Sequence, residues 1–335
     1  MPNASGQESA KVHGAIWNAL GDGLPAVVTS HVRPDGDGLG SALALWHGLK
    51  TRGLEAFHFS EPPMPSMFSF LNGLDQCLAD PAQLPKAYNL VVIDCGCFER
   101  IGDSAGQLTG RTRTVNIDHH NGNSCFGDIN HVDPAASSCG EMIYGLLTAG
   151  GVPLSREIAD CLFTAIVTDT GQFSHQDTTP EALRICAECV RAGARPHELV
   201  RRLFMSPSPA QVKLRHLALG TLRFHDEGRI ATMAITREMY RQTGLGPVDT
   251  EGFAEVPISI QGVAASALLK EMPGSGYIKV SLRSRELVDV CRVAKTFGGG
   301  GHVQAAGCEI QGALEDVRAM VAEQLQFHLR STTEP

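Results

Sequence analysis

The sequence predicts two α/β units, the first a mainly parallel sheet with helices on both faces and the second a smaller α/β domain. Three observations lead there. Short apolar runs alternate with helix-length stretches from Val12 to Thr179, as in a parallel sheet whose crossovers are helices. A break rich in Pro and Ser, Phe204-Met-Ser-Pro-Ser-Pro-Ala, then interrupts the pattern, and such a cluster marks a boundary. The length of 335 residues favours two domains, and 43% apolar residues suffice for a core in each.

Taken in order, the first ten residues are small and polar and are expected to fray. Strands are expected at 26–30, 55–60, 90–93 and 114–117, and helices at 38–52, 138–149, 156–168 and 180–192. The prolines of Glu61-Pro-Pro-Met-Pro make that stretch a loop. After the break, 210–222 reads as a connecting helix. Strands follow at 230–235, 264–271, 277–284 and 308–310, with a glycine loop at 297–302 and a closing amphipathic helix at 314–329. The expected domains are thus 12–205 and 223–330, with 206–222 as linker and connecting helix.

The net charge of −8 and pI near 5.9 argue against a broad basic surface for long duplex nucleic acid. A small phosphorylated substrate remains compatible. Ten cysteines form no repeated framework. Cys186-Ala-Glu-Cys189 is a single C-x-x-C in a helical pattern and reads as buried thiols, and Cys95 and Cys97 read as core packing. Free thiols without a signal peptide point to the cytoplasm. No apolar run approaches the ~18 residues of a membrane span.

Four segments carry chemistry. His31-Val-Arg-Pro-Asp35-Gly-Asp37 follows an apolar run, Asp94 follows Leu90-Val-Val-Ile, and Asp118-His119-His120 follows Thr114-Val-Asn-Ile. Asp169 ends a helical pattern. Strand ends carrying Asp and His converge at one sheet edge, where open α/β sheets bind ligands. Alone, each has a plainer reading: Asp94 as a helix cap, Asp37-Gly38 as a turn, Asp118-His119-His120 as a solvated loop. His47, His58, His216 and His225 read as structural. Asp35, Asp37, Asp94 and Asp169 balance the charge of two divalent cations, and oxygen with imidazole donors suits Mn²⁺, Mg²⁺ or Co²⁺. In the second domain, Lys279-Val-Ser-Leu-Arg283-Ser284-Arg285 gathers phosphate partners. Gly299, Gly300 and Gly301 before His302 form either an anion-binding backbone or a flexible turn.

These motifs resemble the DHH phosphoesterases that carry a DHHA1 domain, close to the stand-alone nanoRNase and pAp-phosphatase (NrnA-like) group. The carriers are His31–Asp37, Asp94, Asp118-His119-His120, Asp169, Gly298-Gly-Gly-Gly-His302 and Ala305-Ala-Gly307. The resemblance implies one ion held by His31, Asp35 and Asp94, and another by Asp37, Asp94, His119 and Asp169. It implies that Asp118 orients a ligand histidine and that His120 faces the substrate phosphate. Arg283, Ser284, the glycine loop and His302 would hold the nucleotide. The implied activity is hydrolysis of short oligoribonucleotides or 3′-phosphoadenosine 5′-phosphate by two-metal activation of a bridging water, with Mn²⁺ as the first choice of ion. Cyclic di-AMP or pApA hydrolysis is the alternative within the enzymes. A nucleotide- or RNA-binding sensor with a degenerate site is the alternative outside them. A homodimer is also implied.

Overall fold

The computed structural model describes residues 4–250, 252–285 and 288–333. The chain divides into two compact units after Met205. The first contains α1 (Ala4–Leu20), β1 (Ala26–Thr29), α2 (Gly36–Thr51), β2 (Ala56–His58), β3 (Tyr88–Ile93), β4 (Arg111–Asp118), β5 (Ile129–Val132), α3 (Cys139–Ala149), α4 (Arg156–Asp169), α5 (Pro180–Arg191) and α6 (Pro196–Phe204). Its five strands are all parallel, in the order β2-β1-β3-β4-β5.

Strand alternation sends side chains to two cores. Ala26, Val28, Val91, Ile93, Val115 and Ile117 face the helical layer with Leu39, Leu43, Ile143 and Leu162. Val27, Leu90 and Val92 face the other side, where Ile101, Ala105 and Leu108 cover them. That cover comes from short 3₁₀ helices, Phe98–Ile101 and Asp103–Gln107, rather than long α-helices. The parallel α/β class expected from the sequence is the one observed.

The chain leaves β1 toward β2 on one side and returns to β3 on the other, so the strand order reverses at β1 and β3. Crossovers then depart in opposite directions and leave a crevice at the carboxyl ends. Three of the four chemical segments start at the ends of β1, β3 and β4.

Three first-unit elements differ from expectation, one of them α6, which lies beyond the last expected helix of that unit. The amino terminus does not fray after residue 3: α1 runs from Ala4, buries Ile16 and Leu20, and its Trp17 indole donates to the Leu146 carbonyl at 2.9 Å. Its composition is polar and its apolar anchors are few, so tertiary packing supports it rather than a local pattern. β5 was not expected because Asn130 and His131 dilute a four-residue edge strand.

The second unit contains α7 (Pro209–Leu219), β6 (Arg223–His225), β7 (Ile230–Ile235), α8 (Arg237–Thr243), α9 (Glu255–Ile258), β8 (Ala265–Glu271), β9 (Tyr277–Ser284), α10 (Val290–Thr296), β10 (Gly300–Gly301), β11 (Ala305–Gln311) and α11 (Leu314–Thr333). Its sheet is mixed, in the order β10-β11-β9-β8-β7-β6, with β7 and β8 parallel. Ile278, Val280 and Leu282 of β9 join Val317, Val321 and Leu325 of α11 in one core. A capping box of Ser208 and Gln211 starts α7. Leu214 and Ala218 of α7 pack with Met233, Ile235, Tyr240 and Phe253. The helix read as a connection is therefore part of the second unit's core. Among the described residues, no helix is long and apolar enough to cross a membrane.

Glycines set how closely α2 approaches α4. A Cβ on Gly40 would stand 2.6 Å from the Cys161 carbonyl oxygen and 3.1 Å from the Ala165 nitrogen. Gly14, exposed on α1, has nothing within 4 Å of such a Cβ. The Gly40→Ala variant is expected to lose about 1–3 kcal/mol in urea denaturation, because backbone must move. The Gly14→Ala variant is expected to gain about 0.5–1 kcal/mol. Equal stability of the two variants would contradict the close packing of α2 on α4.

Candidate metal centre

The first motif straddles the start of a helix. His31 follows β1, and Pro34 directs the chain into Asp35, the N-cap of α2, whose carboxylate accepts the Gly38 N–H at 3.0 Å. Asp37 lies one residue into the helix and points inward, 1% exposed, while the Asp35 side chain is 48% exposed. Two acids separated by one glycine thus face different ways. That glycine is required: a Cβ on Gly36 would lie 2.2 Å from Thr168 Oγ1 in the last turn of α4.

Asp37 is held from a distant part of the chain. Its carboxylate accepts the backbone N–H of Cys139 at 2.7 Å and of Gly140 at 2.9 Å, and the Ser41 hydroxyl at 3.0 Å. The two N–H groups belong to the first turn of α3, which Ser138 caps. A helix start has unpaired donors and the positive end of the helix dipole, so it suits a carboxylate.

Asp94, immediately after β3, takes a left-handed backbone with φ of 60°. A non-glycine residue pays about 1–3 kcal/mol for this, and such strain clusters at functional sites. The conformation aims its two oxygens at different histidines. Oδ2 lies 3.4 Å from His31 Nε2, and Oδ1 lies 3.9 Å from His119 Nε2 and 3.2 Å from His120 Nδ1. His119 Nε2 also lies 3.3 Å from Asp169 Oδ2 and 3.8 Å from Asp37 Oδ2. Asp169 sits at the carboxyl end of α4.

Both inner histidines are fixed by their far nitrogens. His31 Nδ1 pairs with the Val32 carbonyl at 3.1 Å, and His119 Nδ1 with the Ala136 carbonyl at 3.2 Å. A carbonyl only accepts, so the hydrogen-bond network assigns the proton to Nδ1 and turns Nε2 toward the acids. His120 is held differently. Its Nδ1 donates to Asp118 Oδ1 at 2.8 Å, and Asp118 is itself buried and anchored by the Asn123 amide at 2.6 Å.

The electrostatics describe a pocket short of positive charge. Burial, reinforced by Asp94, pushes the Asp37 carboxyl up to about 7. Burial and the nearby Asp37, Asp35 and Asp94 push Asp169 well above the carboxylate range. Burial opposes ionisation of Asp94 too, but hydrogen bonds from His120 and His31 outweigh it and hold Asp94 well below that range. Burial disfavours charge on His31 and His120, yet the adjoining carboxylates push them up to about 10 and about 11. Protons are retained where cations would otherwise balance the acids. The donor set fits that role. His31, Asp35 and Asp94 offer atoms within 4.8 Å of one another, and so do Asp37, Asp94, His119 and Cys139. Oxygen and imidazole donors of this kind bind divalent cations.

Residues 25–166 match the model of the DHH family, N-terminal domain, and residues 230–326 match the DHHA1 domain. A bifunctional oligoribonuclease and PAP phosphatase NrnA of Thermus thermophilus is 34% identical over 90% of this chain and 90% of its own. The chain belongs to the DHH family, with a DHHA1 domain. The bifunctional oligoribonuclease and PAP phosphatase NrnA of Bacillus subtilis is 30% identical, over 85% of this chain and 88% of its own. An exopolyphosphatase-related protein from Bacteroides fragilis superposes with a TM-score of 0.85 at 25% identity, covering 97% of this chain and 98% of that one. Family membership and the acid–histidine cluster together make this DHH protein a metal-dependent phosphoester hydrolase.

The structure brings His31, Asp35, Asp37, Asp94, His119 and Asp169 of the DHH unit together. Asp118 pairs with His120 rather than with His119, because its carboxylate meets His120 Nδ1 while His119 Nδ1 is taken by Ala136. Four partners escaped the sequence reading: Ser41, Asn123, Cys139 and His175, whose Nδ1 meets the Asp169 carbonyl at 2.9 Å. Asn123 had one legible signal, its position three residues after the His-His pair.

In the DHHA1 unit, Arg283 lies on β9 and its Nε donates to Glu255 Oε1 at 2.6 Å. Ser284 is buried and donates its hydroxyl to the Val288 carbonyl at 2.6 Å, so it ties down the strand end. The glycines have distinct duties. A Cβ on Gly299 would meet the Gly307 carbonyl oxygen at 2.1 Å, and one on Gly301 the Ala305 oxygen at 2.5 Å, so both allow β10 to lie against β11. Gly300 faces open space. The His302 N–H donates to the Ala305 carbonyl at 2.7 Å and closes the turn.

The raised Asp37 predicts a pH effect with a definite sign. Folded protein without metal keeps this proton between about pH 4 and pH 7, where unfolded chain has released it. Stability from this group is complete at the acid end and is lost as pH rises through about 7. In chelator, the urea midpoint of the wild type is therefore expected to fall more from pH 4.5 to pH 7.5 than that of Asp37→Asn. Parallel falls in both proteins would remove Asp37 from the account.

Proposed function

We propose that this chain is a two-metal hydrolase of short oligoribonucleotides and of 3′-phosphoadenosine 5′-phosphate. One observation carries the two-ion reading: the oxygens of Asp94 face separate histidine groups, 3.4 Å from His31 and 3.9 Å from His119. His31, Asp35 and Asp94 would hold one ion, and Asp37, Asp94, His119 and Asp169 the other. Four carboxylates match the charge of two divalent cations, with Mn²⁺ as the preferred ion. The substrate reading is supported by relatives named as oligoribonucleases and PAP phosphatases along 85–90% of the chain.

When bound, such ions act as Lewis acids that lower the pKa of water and offset charge on phosphoryl oxygens. The protein's own part is positioning. Asp37 is fixed by α3 and Asp94 by its left-handed backbone, so the acids keep their places without substrate. His120, kept protonated by Asp118 and Asp94, donates a charge-assisted hydrogen bond to a phosphate oxygen. Arg283 and His302 bind the remaining phosphate and nucleotide, with Arg283 exchanging Glu255 for phosphate. Gly300 supplies the open stretch of backbone in the glycine loop.

The Asp94→Asn variant is expected to fold, judged by its circular dichroism and thermal melt, and to lose at least about 10³-fold in kcat with Mn²⁺. Retained turnover would refute the shared-carboxylate reading. With purified wild type and Mn²⁺, initial rates on a labelled RNA 5-mer and on 3′-phosphoadenosine 5′-phosphate are expected to exceed those on pApA and cyclic di-AMP. The reverse order would reassign the substrate. Arg283→Ala is expected to raise KM about tenfold, and an unchanged KM would remove Arg283 from binding.

A further inference from the structure

One donor in the cluster is chemically unlike the rest. Cys139 opens α3, and its thiol is completely buried. Its Sγ lies 3.9 Å from Asp94 Oδ1 and 3.7 Å from the Ile117 carbonyl oxygen. The sulfur and single donor atoms of Asp37, Asp94 and His119 all lie within 4.8 Å of one another. Donors sharing an ion through bonds of ~2.3 Å stand no more than about 4.6 Å apart. The separations are therefore close to those of a common coordination sphere. Among the described residues, no other cysteine belongs to such a group. Cys161, Cys186 and Cys189 share the apolar core with Cys139 but stand in no such group.

Cys139 is also locked in position. Its backbone N–H donates to Asp37 Oδ2 at 2.7 Å, so the residue that carries the sulfur also anchors an acid of the same group. Ser138 caps the helix just before it, which fixes the first turn from the other side. A cysteine needed only to fill space would gain nothing from three ligand-type neighbours. Burial and the surrounding acids keep its thiol protonated while no cation is near.

The two halves of the cluster consequently differ in softness. The half around His31, Asp35 and Asp94 has only nitrogen and oxygen donors, while the half around Asp37, Asp94 and His119 adds sulfur. Thiolate donors favour Zn²⁺, Cd²⁺ and Co²⁺ over Mg²⁺. Resting on the reading of this cluster as a metal centre, we propose that Cys139 is a sulfur ligand of the Asp37–Asp94–His119 half and raises that half's affinity for thiophilic divalent ions above what its oxygen and nitrogen donors alone would give. On binding, the metal–sulfur bond forms as the S–H bond breaks, and the proton passes to solvent.

The test is a Cd²⁺ titration of the full chain freed of metal by chelator, followed by ultraviolet difference spectroscopy and calorimetry. A sulfur-to-cadmium charge-transfer band is expected to grow and saturate. It should vanish in Cys139→Ser and Cys139→Ala and persist in Cys161→Ser. Loss of the sulfur should weaken Cd²⁺ binding about 10–100-fold while changing Mg²⁺ binding far less. Cadmium-113 NMR of the wild type gives the same answer without a variant, since sulfur coordination shifts the resonance away from the nitrogen–oxygen range. Calorimetric Cd²⁺ binding without a band, or a band retained in both Cys139 variants, would overturn the proposal and leave the metal centre standing. Absence of any Cd²⁺ or Mn²⁺ binding would overturn both.

Discussion

Mutual repulsion among buried carboxylates is the constraint around which the first unit is arranged. Asp37, Asp94 and Asp169 converge on His119, and Asp35 stands beside His31. No apolar interior tolerates such a gathering without compensation. The fold offers three kinds. The first turn of α3 points its N–H groups at Asp37. Histidines border each acid. Protons stay on Asp37, Asp169, His31 and His120 at pH values where free side chains would release them. Divalent cations complete the balance, which ties metal binding to the stability of the same residues.

That arrangement needs close backbone approach, and glycine provides it. Gly36 lets the start of α2 meet the end of α4, and Gly40 continues the contact one turn later. Gly38 keeps the mouth of the cluster open, since a Cβ there would lie 3.2 Å from both Asp94 Oδ2 and His31 Nε2. The Gly-x-Gly-x-Gly run after Asp35 therefore packs helices on one side and clears the site on the other. The glycines of the DHHA1 unit show the same economy. Gly299 and Gly301 serve strand packing, while Gly298 and Gly300 face open space.

The legible part of the site was its chemistry. Apolar runs ending in Asp or His are visible without coordinates, because the β1, β3 and β4 strands are continuous in sequence and their next residues carry the donors. The main strands and helices of the first unit were legible for the same reason. β5 and α1 were not, since short edge strands and weakly amphipathic helices depend on distant partners such as the Leu146 carbonyl for Trp17. The role of Asp118 was misplaced because neighbouring histidines look alike in sequence, and only side-chain direction separates them.

The sequence by itself determined the class of fold, the acid and histidine residues at the strand and helix ends, and through them the family and its phosphoester chemistry. Those follow from residue type and local periodicity, which are properties of short segments. Only the tertiary structure decided which of those side chains meet. Cys139 reaches Asp37 from 102 residues away, and its sulfur joins the group only because α3 begins where β3 ends. Asp94 faces two histidine groups because its backbone turns left-handed, a conformation that Asp tolerates better than most residues but that only its packed surroundings select. Long-range contact and backbone strain are set by the whole packed unit, so they become visible only when it is assembled.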